Sequence, residues 1–191
     1  MMMSKTDPAW AADVARWGMG RMPLREQSMW ALCVYRFGRR VDARPDGWRK
    51  RWLERWYLLL FTAVETLTGI SIPKATQIGP GLRIWHFGGV FVHPQTVIGA
   101  NCTLRQGVTL GVRVDGGPCP VLEDDVELGA YAQVLGGVRL SRGCRIGAMA
   151  VVLCDVPADC AAVGNPARIV PPENDAAERP VNAHMSLEAA V

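Results

Sequence analysis

Charge of one sign is scarce in this 191-residue chain. Its 21 Lys and Arg stand against 18 Asp and Glu, a formal net charge of +3, too weak a bias to argue for a nucleic-acid partner. Long apolar runs are also missing. The longest, from Trp56 to Val64, is far short of the roughly 20 residues that a membrane-spanning helix needs. The opening MMMSKTDPAW has no apolar core followed by a cleavage site, so it does not read as a signal peptide. These absences predict a soluble, cytoplasmic protein. The six cysteines form no C-x-x-C and no metal-type cluster, so reduced thiols and no metal centre are expected. There is no P-loop and no G-x-G-x-x-G after a strand, which argues against nucleotide chemistry. Carboxylates are absent from a long internal stretch: none lies between Glu65 and Asp115.

What the chain does have is a beat of six. An aliphatic residue opens each unit at Ile72, Ile78, Ile84, Val90, Ile98, Leu104 and Leu110, and the series resumes at Leu122, Leu128, Val134, Leu140, Ile146 and Val152. The fifth position is small or β-branched in most units, as at Thr76, Gly88, Cys102, Val108, Val126, Ala132, Cys144 and Ala150. An alternating strand needs period two and an amphipathic helix 3.6. A sustained period of six matches hexapeptide parallel β-helix repeats. Each opening aliphatic is expected to point into a three-sided prism, where full burial is worth roughly 1.5–3 kcal/mol. The fifth residue fills a tight slot, and a thiol there, as at Cys102 and Cys144, acts as a compact hydrophobe. At about eighteen residues a turn, residues 71–170 make about five coils.

Residues 1–70 follow a different period and hold six of the seven tryptophans. Asp7-Pro8 reads as an N-cap with Pro at N1, opening a helix with Trp10, Val14 and Trp17 on one face. Pro23 is expected to open a second, carrying Trp30, Val34 and Phe37, and DARPDG (42–47) to turn the chain. A third runs from about Trp48 to Leu67 and stops at Gly69. It aligns Trp48, Trp52 and Trp56 and carries Arg49, Lys50, Arg51 and Arg55. Residues 48–67 therefore admit two readings. One is a weak contact with an anionic membrane surface; the other is an aromatic face packed against the first two helices or a neighbouring subunit, the commoner fate of such stripes.

Two irregularities interrupt the coil: an overlong unit between Val90 and Ile98, around His93-Pro94, and a loop, VRVDGGPCP (112–120), extruded from the prism. Loops thrown out of a rigid scaffold are where chemistry gathers. Residues 171–191 are polar, Ala-rich and aperiodic, and read as a loose tail. Of the three histidines, His184 lies in that tail, and His93 sits at the overlong corner before a proline, where a turn role fits. His86 lies in IWHFGG, beside a Gly pair that lets another chain or a ligand approach. A neutral imidazole there suits general-base work near neutral pH or a buried structural role.

The ordered strings GISIP, IGPGLRIWHFGG, IGANCTLRQGVTLG, VELGAYAQVLGGV, RIGAMAVVL and AVGNPARIV, within residues 69–170, resemble the serine-acetyltransferase type of hexapeptide acyltransferases. The resemblance implies a mainly β protein, a left-handed parallel β-helix with an N-terminal α-helical segment. It also implies a trimeric building block, giving a homotrimer or a dimer of trimers, and acetyl-CoA as donor. His86 matches the family's base, which takes the proton from an acceptor hydroxyl. Gly111, Ala130 and Ala148 match the backbone that lines the pantetheine groove, with Arg168 as a phosphate partner.

The departures from the family bear on the acceptor. The Asp expected just before the base is Trp85, the loop histidine expected before a proline is Cys119, and the Asp fifteen residues upstream of the base is Ser71. Ser71 can orient an imidazole but cannot stabilise the imidazolium that forms. Trp85, Cys119 and His93 are thus the candidate acceptor-binding residues, and an exposed indole suits stacking on a sugar ring. GISIP with HFGG resembles the branch found in exopolysaccharide and capsule clusters. The expected activity is acetyl-CoA-dependent O-acetylation of a sugar or exopolysaccharide precursor, with serine O-acetylation for cysteine synthesis and a non-catalytic scaffold as alternatives. A carbonic-anhydrase-type metal enzyme shares the coil but needs three histidine ligands, and only His86 and His93 fall in it.

Overall fold

The computed structural model describes residues 7–17 and 26–172; the opening methionines, Pro23 and the tail from 173 lie outside them. From Ile70 onward the chain winds as a left-handed parallel β-helix of about five turns. Short strands stack into three sheets, one per side of the prism. The first side holds Ile70–Ser71, Val90–Val92, Thr109–Gly111, Gln133–Leu135 and Val151–Val152. The second holds Gln77–Ile78, Val97–Ile98, Val121–Leu122 and Arg139–Leu140. The third holds Arg83–Trp85, Thr103–Arg105, Glu127–Leu128, Arg145–Ile146 and Ala161–Val163, and Arg168–Val170 folds back antiparallel to close it.

The beat of six is the register of this coil. Ile84 pairs with Leu104, and Leu104 with Leu128, so equivalent aliphatics stack into one column. Most of the series is fully buried; Ile78 is only half-buried. Glycines follow the aliphatics because the coils approach closely: a Cβ on Gly99 or Gly129 would lie 2.5 Å from the backbone of Glu123 or Ala148.

The structure moves one irregularity. Trp85 pairs with Arg105, whereas Phe91 pairs with Thr109, so two extra residues lie between Trp85 and Phe91. The corner at His93 is of ordinary length, since Val92 stacks on Leu110 and Ile98 on Leu122. Val92, not Val90, therefore opens its unit, and Val90 fills the fifth-position slot expected for Gly88. A Cβ on Gly88 would meet nothing within 4 Å. The bulge belongs to the His86 corner.

Three helices precede the coil. In α1 (Pro8–Ala15), Asp7 caps the first turn, its Oδ1 accepting the N–H groups of Ala9 and Trp10 at 3.1 and 3.2 Å. α2 spans Gln27–Asp42, and α3 spans Trp48–Thr68 and stops at Gly69, whose φ of 66° suits a glycine. α3 turns Leu53, Tyr57, Leu60, Phe61 and Val64 toward Val34, Phe37 and Val41 of α2. Gly38 makes room for this, because a Cβ there would lie 2.5 Å from the Tyr57 ring. Trp48, Trp52 and Trp56 point away from α2 and are exposed, so the aromatic stripe is not packed on the first two helices. Among the described residues, no helix is long and apolar enough to cross a membrane.

A buried ion pair fixes the helices to the first coil. Asp13 is inaccessible, lies 2.8 Å from Arg36, and accepts the N–H groups of Gly81 and Leu82 at 2.8 and 2.9 Å. Arg36 donates onward to the carbonyls of Ile78 and Gly79. Burial pushes the Asp13 carboxyl up, and Arg36 with the two amides works against that push.

Candidate active site

The strand Arg83–Trp85 points Ile84 inward and leaves Arg83 and Trp85 on the outer surface. His86 follows as the first residue of the bulged corner. Its φ of 65° is in the left-handed region that few non-glycine residues adopt, and its side chain is exposed. The imidazole stands 6.3 Å from the Trp85 ring, centroid to centroid. Among the described residues, no side chain hydrogen-bonds it. Ser71 lies half-buried on the first side, paired with Phe91, and makes no hydrogen bond to His86, so the structure does not join these two residues.

Trp85 is half-buried and one of its faces is covered. The Arg83 guanidinium lies 3.6 Å from the indole centroid and 5.2 Å from that of Trp17, while the two tryptophan rings are 6.1 Å apart. A sugar ring has no access to the face that Arg83 occupies.

His93 and Cys119 do come together. Cys119 Sγ lies 2.9 Å from His93 Nδ1, and the Gln95 N–H donates to the same nitrogen at 3.3 Å. A ring nitrogen that accepts an amide proton carries none of its own, so the thiol is the donor of this pair. Burial pushes the Cys119 thiol up, which favours the same protonated form. The pair sits at the corner after Val90–Val92, whereas His86 precedes that strand. In one chain the two groups therefore occupy opposite edges of the first side.

Ala130 and Ala148, at successive corners on the His86 edge, line a cleft of about 500 Å³ on the third side. Arg16, Arg83, Trp85, Arg105 and Arg145 form much of its wall. Gly111, at the end of a first-side strand, and Arg168, on the closing strand, do not line it. The sequence reading missed the arginines. Arg83, Thr103, Glu127 and Arg145 stand in one register row, but the bulged corner and the 112–120 loop make their spacings unequal. It also missed Gln106, which follows Arg105 one coil below His86 and has a buried Oε1 without a partner. A count of coil-to-coil register could have found both. Among the described residues, no three or more His, Cys, Asp or Glu gather as a metal group.

No protein-family model matches the chain. A serine acetyltransferase of Synechococcus elongatus is 42% identical over 114 residues, which are 59% of this chain and 47% of that protein. One of Helicobacter pylori is 42% identical over 145 residues, 73% of this chain and 79% of that protein. The chain spans about half the length of some relatives, 47% of the Synechococcus protein and 56% of one from Bacillus licheniformis. The structure of soybean serine acetyltransferase complexed with serine has a TM-score of 0.71 at 32% identity, covering 85% of this chain and 68% of that one. Neisseria gonorrhoeae serine acetyltransferase in complex with serine gives 0.71 at 28% identity, covering 85% and 67%. These likenesses overturn the expected exopolysaccharide branch and its sugar acceptor, and Arg83 covers one face of the indole on which the stacking argument rested. At 42% identity across 79% of the Helicobacter pylori protein, this chain belongs to the serine acetyltransferase family.

Proposed function

We propose that this chain transfers the acetyl group of acetyl-CoA to the hydroxyl of L-serine. The observation that carries the reading is the 42% identity over 145 residues, 73% of this chain, with a serine acetyltransferase. His86 is the proposed base. Its imidazole takes the hydroxyl proton as the serine oxygen attacks the thioester carbonyl carbon. A C–O bond forms, the tetrahedral oxyanion collapses with loss of the C–S bond, and the departing thiolate takes the proton back from His86. Ala130 and Ala148 give the pantetheine arm a floor without side-chain bulk.

The remaining assignments need a second subunit. In a homotrimer, the Cys119–His93 corner of one subunit would face the His86 corner of the next and complete the acceptor site. Gly111 and Arg168, which stand apart from the cleft within one chain, would reach the donor in the same way. Ser71 has no hydrogen-bonded role at His86, and among the described residues no carboxylate hydrogen-bonds the imidazole.

The test is release of free CoA thiol from acetyl-CoA in the presence of L-serine, D-serine, glucose or galactose. Saturable release with L-serine, well above the other three, supports the reading. Release that does not depend on L-serine overturns it.

A further inference from the structure

The cleft on the third side is cationic beyond what the fold requires. Arg16 is spent on structure: its guanidinium donates to the carbonyls of Gly81, Asn101 and Cys102 and to Thr103 Oγ1. Arg83, Arg105 and Arg145 differ, because none makes an ion pair or a side-chain hydrogen bond among the described residues. Arg83 is pinned between Trp17 and Trp85 with its Nε buried and without an acceptor. Desolvation, with the nearby Arg16 charge, pushes its guanidinium below the usual range, and Glu26 opposes this from a distance. Arg105 stands in register beside Trp85, exposed at the cleft wall. Glu127, the one carboxylate of the lining, lies beside Arg145 in register and pairs with no arginine among the described residues. Arg83 is half-buried and Arg105 and Arg145 are exposed; the buried Arg83 Nε is a donor left without an acceptor, which is costly unless a ligand supplies one.

We propose that this cleft is an oxyanion subsite, in which Arg83, Arg105 and Arg145 hold a carboxylate or phosphate group of a substrate. Guanidinium groups suit both, as planar forks of N–H donors. Small residues leave the floor open: Gly129 follows Leu128 in the strand below Arg105, and Ala130 and Ala148 flank it. The subsite adjoins the proposed chemistry, because Trp85 lines the cleft and stands 6.3 Å from the His86 ring. Its assignment to a substrate rests on the acetyl-transfer reading; its affinity for anions does not. The acceptor's carboxylate and the donor's phosphates share this chemistry.

The test uses the full chain and Arg105→Gln, with Arg145→Gln as a second variant. Both arginines are exposed, so neither change disturbs the Trp17–Arg83–Trp85 stack. Malonate and pyrophosphate are titrated calorimetrically at low ionic strength, and KM is measured for each substrate. Loss of a charge-assisted hydrogen bond should weaken anion binding roughly tenfold or more, and Arg105→Lys should recover part of it. A matching rise in KM for serine alone assigns the subsite to the acceptor carboxylate, and a rise for acetyl-CoA alone assigns it to the donor phosphates. If neither substrate turns over but Arg105→Gln still loses anion affinity, the subsite stands and the serine reading falls. Wild-type protein that binds neither anion, or variants that keep both affinities and both KM values within twofold, would overturn the proposal.

Discussion

His86 is exposed on a corner where its φ of 65° is one that few non-glycine residues adopt, and among the described residues no side chain hydrogen-bonds it. If it takes the acceptor proton, His86→Ala should cut turnover by roughly 10²–10⁴-fold, the usual scale for general-base loss. Acetyl-CoA affinity should change little, because the cleft residues are untouched; calorimetry on the variant checks this. Full activity in His86→Ala would remove His86 from the mechanism. What the sequence offered at this scale were single candidate residues. His86 stood out by its Gly-rich context, and Cys119 by the loop that holds it. The Cys119–His93 contact was not legible, because nothing in the spacing says that the 112–120 loop folds back over the corner at His93. Nor were the arginines. A lone arginine on a strand is ordinary, and only the stacking of coils reveals Arg83, Arg105 and Arg145 as neighbours.

The elements are held by two kinds of burial, and each gives a prediction. Asp13 ties α1 to α2 and to the first coil through Arg36 and two backbone amides. Asp13→Ala leaves Arg36 buried without its counter-ion, which should cost about 3–5 kcal/mol, read as a lower denaturation midpoint in urea. Circular dichroism should show the β-helix intact below that midpoint. The inward thiols give the second prediction. Desolvation pushes Cys102 up to about 11 and Cys144 up to about 12, whereas unfolded thiols ionise near their ordinary value of about 8.5. Above that value the unfolded chain binds fewer protons than the folded one, so stability should fall as pH rises toward 11. The slope should approach ~1.4 kcal/mol per pH unit for each thiol. Urea melts between pH 8 and 11 check it, and Cys102→Ala/Cys144→Ala should flatten the slope. At this scale the period of six located nearly every strand. It misplaced the bulge by one unit because Val90 and Val92 are both aliphatic, and only pairing with the coil below tells which one opens the unit.

At the scale of the whole molecule, the surface that most needs an explanation is on α3. Trp48, Trp52, Trp56, Leu58, Leu59 and Leu67 are each more than half exposed, a continuous apolar stripe rather than scattered single residues. The helical spacing of those tryptophans was plain in the sequence, but its orientation was not. Tyr57 competes for the inward face, and Gly38 on α2 decides in its favour. A stripe turned away from its own chain fits contact with other subunits, and the separation of His86 from the Cys119–His93 pair asks for a second subunit as well. Both are met if the β-helix builds a homotrimer and α3 joins two trimers. Light scattering at micromolar concentration should then give three or six times the 20.9 kDa protomer mass. Trp52→Glu with Leu59→Glu should reduce a six-chain particle to a trimer that keeps its activity, because neither residue lies near the cleft. A monodisperse monomer would sink the arrangement. A trimer unchanged by the double substitution would leave α3 to another role, and binding to anionic vesicles, read by co-sedimentation, would then identify a lipid surface as what covers it.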